Sequence, residues 1–149
     1  MRNIKIRKAD KKDVSEILNL LYQLQRPKPK TSLENVTFRK RIDQYLGDKD
    51  KRIIVAEQGS RIVGIVSMMF LTRLNRTKLE LYIPELVVSE DHRRSGIGKS
   101  LMESCVKIAK KKKCFRIRLE SGNQRKDAHR FYKRIGFGQT ALSYTRVIE

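Results

Sequence analysis

The stretch Ser89-Glu-Asp-His-Arg-Arg-Ser-Gly-Ile-Gly-Lys-Ser-Leu101 carries the chain's sharpest chemical signal. Gly96 and Gly98 stand where an apolar, strand-like run gives way to helical spacing. Glycine lets the backbone take unusual dihedrals and approach a ligand closely. A helix N-terminus offers unpaired N–H groups and partial positive charge, which suits a phosphate. Arg93, Arg94 and Lys99 add full charges beside it. Three phosphate motifs compete for this loop. A P-loop needs glycine five residues before Gly98-Lys99-Ser100, where the chain has Arg93. A dinucleotide fingerprint needs glycine three residues after Gly98, where the chain has Leu101. The third pattern, Arg/Gln-x-x-Gly-x-Gly/Ala opening a helix, is satisfied by Arg93-x-x-Gly96-x-Gly98.

The second chemical candidate is a carboxylate. Leu79, Leu81, Ile83, Glu85 and Val87 share one face of an unbroken strand, so Glu85 is an acid on an apolar face. Pro84 beside it lacks an N–H for the sheet ladder and marks a bulge or an opening. A bulge would also change the way Glu85 faces. Glu80, with Tyr82 and Leu86, lies on the opposite face, and Glu120 ends a later strand. Cys105 and Cys114 fit small core fillers better than nucleophiles. His92 and His129 have no partner at ligand-like spacing, so no metal site is expected.

Composition bounds what these groups serve. A chain of 149 residues with 39% hydrophobic content fits one domain with a real core. No apolar run reaches the roughly 18 residues of a membrane span, and no signal peptide opens the chain, so a cytoplasmic protein without a membrane partner is expected. The formal net charge of +19 favours anionic partners: a phosphorylated cofactor, an acidic protein or nucleic acid. Aromatic residues do not alternate with basic ones as base stacking requires, which disfavours nucleic acid.

The elements that must position these residues follow from periodicity. Residues 3–7 alternate as a strand. Asp10 caps a helix carrying Val14, Ile17, Leu18, Leu21 and Leu24. Pro27 and Pro29 end it, and Ser32 is placed to cap a second helix closing at Gly47. Residues 52–57 and 62–71 form a hairpin about Gly59-Ser60, and residues 78–89 form a long strand. A helix starts at Gly98 and ends in Lys110 to Lys113, where positive charge suits the dipole. Residues 115–119 read as a strand, 124–135 as a helix closed by Gly136, and 138–148 as one strand or two short ones. The order β-α-α-β-β-β-α-β-α-β predicts an α/β fold with a mixed sheet and helices on its faces.

The loop, with Glu85-Leu86-Val87-Val88 before it, Leu101 and Met102 after it, and Leu119-Glu120, Asn123, Ala128, Phe131-Tyr132 and Gly136-Phe137 further on, resembles the GNAT superfamily of acyl-CoA N-acyltransferases. The likeness covers most of the chain, is strongest over residues 81–137, and includes the element order. It implies a single GNAT-type domain over residues 1–149, with the sheet splayed between its fourth and fifth strands. It implies acetyl-CoA as cosubstrate. The loop Arg93, Arg94, Ser95, Gly96, Ile97, Gly98, Lys99 and Ser100 would hold the pyrophosphate. The backbone of Leu86, Val87 and Val88 would pair with the pantetheine arm, and Asn123, Ala128, Phe131 and Tyr132 would complete the cofactor site. Tyr132 is then the proton donor to the departing thiolate. Glu85 is the expected base with Glu120 its rival and Glu80 third, acting directly or through water. A backbone N–H at Leu86 or Val87 would meet the oxyanion.

The acceptor is an amine. The same resemblance gives its recognition to the first two helices, residues 72–77 and the C-terminal strands. Much of that surface is basic, through Arg26, Lys28, Lys30, Arg39, Lys40, Arg41, Arg73, Arg76 and Lys78. That disfavours a polycationic acceptor. It favours a protein N-terminus, a lysine in an acidic context, or a small amine bearing a carboxylate. The competing reading is a non-catalytic module that senses CoA or binds an acidic partner. Either a monomer or a homodimer fits.

Overall fold

The computed structural model describes residues 3–24 and 26–148. They fall into two compact units, Met1–Arg118 and Leu119–Glu149. No helix among the described residues is long and apolar enough to cross a membrane.

The first unit opens with β1 (Ile4–Lys8) and a 3₁₀ turn, Lys11–Asp13. Asp10 caps the turn from Lys12 N at 3.0 Å, and Asp13 reaches back to Asp10 N at 2.9 Å, a reciprocal box that starts α1 (Val14–Gln23). The apolar stripe of α1 buries Val14, Ile17, Leu18 and Leu20. α2 (Ser32–Gly47) is capped by Thr31, not by Ser32 as expected. The Thr31 hydroxyl accepts from Glu34 N at 3.0 Å, and Thr31 has the extended backbone of a cap residue. Nothing in α2 is fully buried; Ile42, Tyr45 and Leu46 are its contribution to the core.

β2 (Lys51–Gln58) and β3 (Arg61–Leu71) form the expected hairpin. The expected strand over residues 78–89 is two strands, β4 (Glu80–Ile83) and β5 (Leu86–Val88), both antiparallel to β3. Then come α3 (Ile97–Lys111) and β6 (Arg116–Leu119), which gives a mixed six-stranded sheet in the order β1-β2-β3-β4-β6, with β5 on β3. Val55 and Ile53 of β2 run beside β3 under α1, where Ile17, Leu20, Ile65 and Val87 close one core cluster. On the other face, Gly64 lets α3 sit close. A Cβ there would lie 3.0 Å from Ile97 Cγ2 and 3.1 Å from Leu101 Cδ1.

The second unit contains α4 (Lys126–Arg134), closed by Gly136 at φ 100°. The strand expected over residues 138–148 is not formed. Alternation of residue types gives a segment two faces but no neighbour to take its N–H and C=O groups, and Leu142, Tyr144, Val147 and Ile148 remain exposed.

Candidate active site

The site begins with a count of residues. Met69 faces Tyr82 and Phe70 faces Leu81 across β3–β4, whereas Val66 faces Leu86 and Ile65 faces Val87 across β3–β5. The register shifts by one between these pairs, so Pro84 and Glu85 together stand opposite Ser67. This is a β-bulge at the residue that cannot donate to the ladder. It corrects the single-face reading. Leu81 and Ile83 look toward α3, while Glu85 and Val87 share the α1 side with Tyr82 and Glu80.

The bulge is pinned by Ser67. Its N–H donates to the Glu85 carbonyl at 2.9 Å, its hydroxyl accepts from the Glu85 N–H at 3.0 Å, and the same hydroxyl donates to the Glu85 carboxylate. Arg26, from the connector after α1, reaches the other carboxylate oxygen at 3.3 Å and the Pro84 carbonyl at 3.4 Å. The Tyr45 hydroxyl donates to the Met68 carbonyl at 3.1 Å. Burial, with the Glu85 charge adding to it, holds the Tyr45 phenol above its ordinary pKa. Sequence reasoning missed Ser67 and Tyr45. Ser67 was legible as the one hydroxyl in the apolar run Ile62–Phe70; nothing distinguished Tyr45 from a packing aromatic.

β5 keeps one partner among the described residues, β3. Glu85 O and Ser89 N both bond to β3, from Ser67 N and to Val63 O. Because ladder groups alternate along a strand, Val87 also faces β3 and Leu86 and Val88 face the free side. The outward donor is therefore Leu86, not Val87. The Arg93 guanidinium donates to the Val88 carbonyl at 3.3 Å on that side.

The loop follows directly. Glu90–His92 make a 3₁₀ turn and the Ser95 hydroxyl donates to the His92 carbonyl. Arg94 and Gly96 take positive φ of 62° and 86°, the left-handed region, and Gly96 opens α3 without a side-chain cap. The first helical bond runs from Ser100 N to Gly96 O at 3.0 Å, so the amides of Ile97, Gly98 and Lys99 precede it. Ile97 is buried under β3 while Arg93, Arg94, Ser95 and Gly96 are exposed. The result is an anchored helix start with outward donors, which fits a pyrophosphate.

Glu80, the third-ranked base, is fully buried and paired with Arg73, Arg116 and Arg118. Burial works to raise its pKa, but the Arg116 and Arg118 guanidiniums overcome this and hold it below the ordinary range. A carboxylate held so firmly in its charged form is a poor proton acceptor. Burial pushes the Cys105 thiol up to about 12, as befits core filler.

In the second unit Tyr132 stands on α4 between Phe131 and Phe137, with ring centroids 5.3 and 5.9 Å away. Burial raises its phenol above the ordinary value, against the lowering influence of Arg125. A protonated phenol is the form a proton donor requires. Glu120 is exposed and accepts from the Ser143 hydroxyl. Asn123 is exposed, Ala128 and Phe131 are half-buried, and His129 bonds the Gly122 carbonyl at 2.7 Å.

Known proteins resemble this chain in sequence and architecture. The chain is 27% identical over 100 residues to N-acetyltransferase 8 of Homo sapiens, which is 67% of this chain and 44% of that protein. It thus spans less than half of that curated relative. It is 27% identical over 143 residues to the aminoalkylphosphonate N-acetyltransferase of Salmonella typhimurium, covering 96% of this chain and 90% of that one. The crystal structure of glucosamine-6-phosphate N-acetyltransferase from Arabidopsis thaliana superposes with a TM-score of 0.84 at 22% identity, over 99% of this chain and 100% of that chain. The model of the Acetyltransferase (GNAT) family matches residues 15–137, and the chain belongs to that family.

Proposed function

We propose that the protein is an N-acetyltransferase, a single functional domain over residues 1–149, that moves an acetyl group from acetyl-CoA to a primary amine. The amine attacks the thioester directly, with both substrates bound. The observation that carries this reading is the continuity of three features along residues 84–96: the bulge at Pro84-Glu85, the open edge of β5 and the start of α3 at Gly96, which has no side-chain cap. An extended arm bearing amides fits an open strand edge, and a pyrophosphate fits a helix start. Leu86, Val87 and Val88 would take the arm. Arg93, Arg94, Ser95, Gly96, Ile97, Gly98, Lys99 and Ser100 would take the pyrophosphate.

Each chemical requirement has a group in this chain. The amine is protonated near neutral pH and must lose a proton before it attacks, and Glu85 is the proposed acceptor, directly or through water. Glu85 is aimed by two bonds to Ser67. The outward N–H of Leu86 donates to the oxygen on which charge develops. The Tyr132 hydroxyl returns a proton to the departing sulfur. Glu120 is the second candidate base, and its exposure ranks it behind Glu85.

The test combines calorimetry with acetyl-CoA and thiol release against an amine panel. Binding at tens of micromolar or tighter, with thiol release only when an amine is present, is the expected result. No acetyl-CoA binding would sink the reading; binding without release for any amine would leave a sensor.

A further inference from the structure

Three arginines converge on one carboxylate at the far end of β4. Arg73 Nη1 lies 3.6 Å and Arg118 Nε 3.3 Å from Glu80 Oε1, and Arg116 Nε bonds the other oxygen. Glu80 is fully buried, yet the arginine side chains stay 44%, 36% and 46% exposed in that order. One buried carboxylate needs partners, but three guanidiniums leave two positive charges more than it cancels. The cluster is also stiffened. Arg118 lies over the Tyr82 ring at 4.5 Å, and Arg116 and Arg76 lie over Phe115 at 5.2 and 4.2 Å. Guanidiniums held by stacking and by a buried anchor lose little entropy on meeting an anion, and their planar forks match carboxylates.

We infer that Arg73, Arg116 and Arg118, anchored by Glu80, form a binding site for an acidic side chain of a polypeptide acceptor. The inference rests on the transfer reading only in taking Glu85 as the amine end. Glu80 stands opposite Leu71 and Glu85 is bonded to Ser67, on the same face of the sheet. Four residues of β3 separate those points, about 13 Å at roughly 3.3 Å per residue. A short amino acid or amino phosphonate, only a few bonds of about 1.5 Å long, does not reach. An extended peptide does, and it puts an aspartate or glutamate about four residues from the acetylated amine. The scarcity of unpaired aromatic faces at the cluster, where Tyr82 and Phe115 already carry arginines, favours a peptide over a single-stranded nucleic acid.

The test measures fluorescence anisotropy of two peptides with free N-termini and a C-terminal dye, one with glutamates at positions three to five and one with glutamines there. The acidic peptide should bind at least about tenfold more tightly, as charge-assisted bonds to guanidinium allow. Arg73→Gln, which leaves two arginines on Glu80, should remove several-fold of that preference. Arg73→Gln with Arg116→Gln should remove most of it, with folding checked by circular dichroism. Lys107→Gln with Lys110→Gln takes the same charge from the exposed side of α3 and should leave the preference intact. Equal affinity for the two peptides would overturn the inference. So would an equal loss in the lysine variant, or a single-stranded RNA of the same charge that binds more tightly through the same arginines. Acidic preference without thiol release would support the site and overturn the transfer reading. Thiol release without acidic preference would do the reverse.

Discussion

The Ser67 hydroxyl holds Glu85 twice: it accepts from the glutamate N–H at 3.0 Å and donates to its carboxylate. One side chain thus fixes both the backbone of the bulge and the direction of the proposed base. Glu85→Gln should lower kcat/KM by about 100- to 10,000-fold, the range for general base catalysis, with acetyl-CoA affinity unchanged. Ser67→Ala should cost roughly tenfold, because the acid remains but is no longer aimed. Steady-state kinetics beside calorimetry check both, and an unaffected Glu85→Gln would move the role to Glu120 or to water.

Tyr132→Phe keeps the ring that packs on Phe131 and Phe137 and removes only the hydroxyl. Turnover should fall by about 100-fold or more while the dissociation constant for acetyl-CoA changes less than twofold. A large loss of affinity would make Tyr132 a packing or binding residue.

Gly96 holds a φ of 86° at the start of α3. Gly96→Ala should destabilise the fold by about 1–2 kcal/mol, the cost of a left-handed conformation with a Cβ. It should weaken acetyl-CoA binding more than a surface change such as Lys107→Gln. Thermal melts with and without acetyl-CoA measure both effects, and ligand-induced stabilisation equal to the parent would detach Gly96 from the cofactor.

Acid should unfold this protein through its buried carboxylates. Burial works to raise the Asp13 pKa, but Arg7, at 2.8 and 2.9 Å, and the Asp10 N–H hold it below the ordinary range. A carboxyl depressed in the folded state stabilises above its unfolded value of about 3.9, and that stability is lost as pH falls through the folded value. Glu80 has the same sign. The urea midpoint should be nearly flat between about pH 5 and 7 and fall below about pH 4. Arg7→Met leaves Asp13 buried without its partner and should cost about 3–5 kcal/mol at neutral pH.

Much of this was legible in the sequence because it depends on neighbours along the chain. The turn at Asp10, the hairpin at Gly59-Ser60, the helix start expected at Gly98 and found at Ile97, and the closing Gly136 are local choices of dihedral and cap. The bulge was half legible. Pro84 announced it, but its consequence for Glu85 needed the register against Ser67, eighteen residues before Glu85. Thr31 and Ser32 are both good caps, and only the bond to Glu34 N separates them. Glu80 looked like a spare acid until Arg73, Arg116 and Arg118 came to it from distant segments. The strand expected over residues 138–148 failed for the same reason: pairing depends on a partner that alternation does not name.

The one extra residue opposite Ser67 makes chain length, as much as residue identity, a determinant of function. Deleting a single position at Pro84-Glu85 would let residues 80–88 run along β3 as one uninterrupted ribbon. Sheet pairing would gain from the deletion. It would keep Leu86 opposite Val66 and Val87 in its core, and would remove only the break in which the proposed transfer could occur. An irregularity of one residue, and not the packing on either side of it, is thus what keeps the strand open.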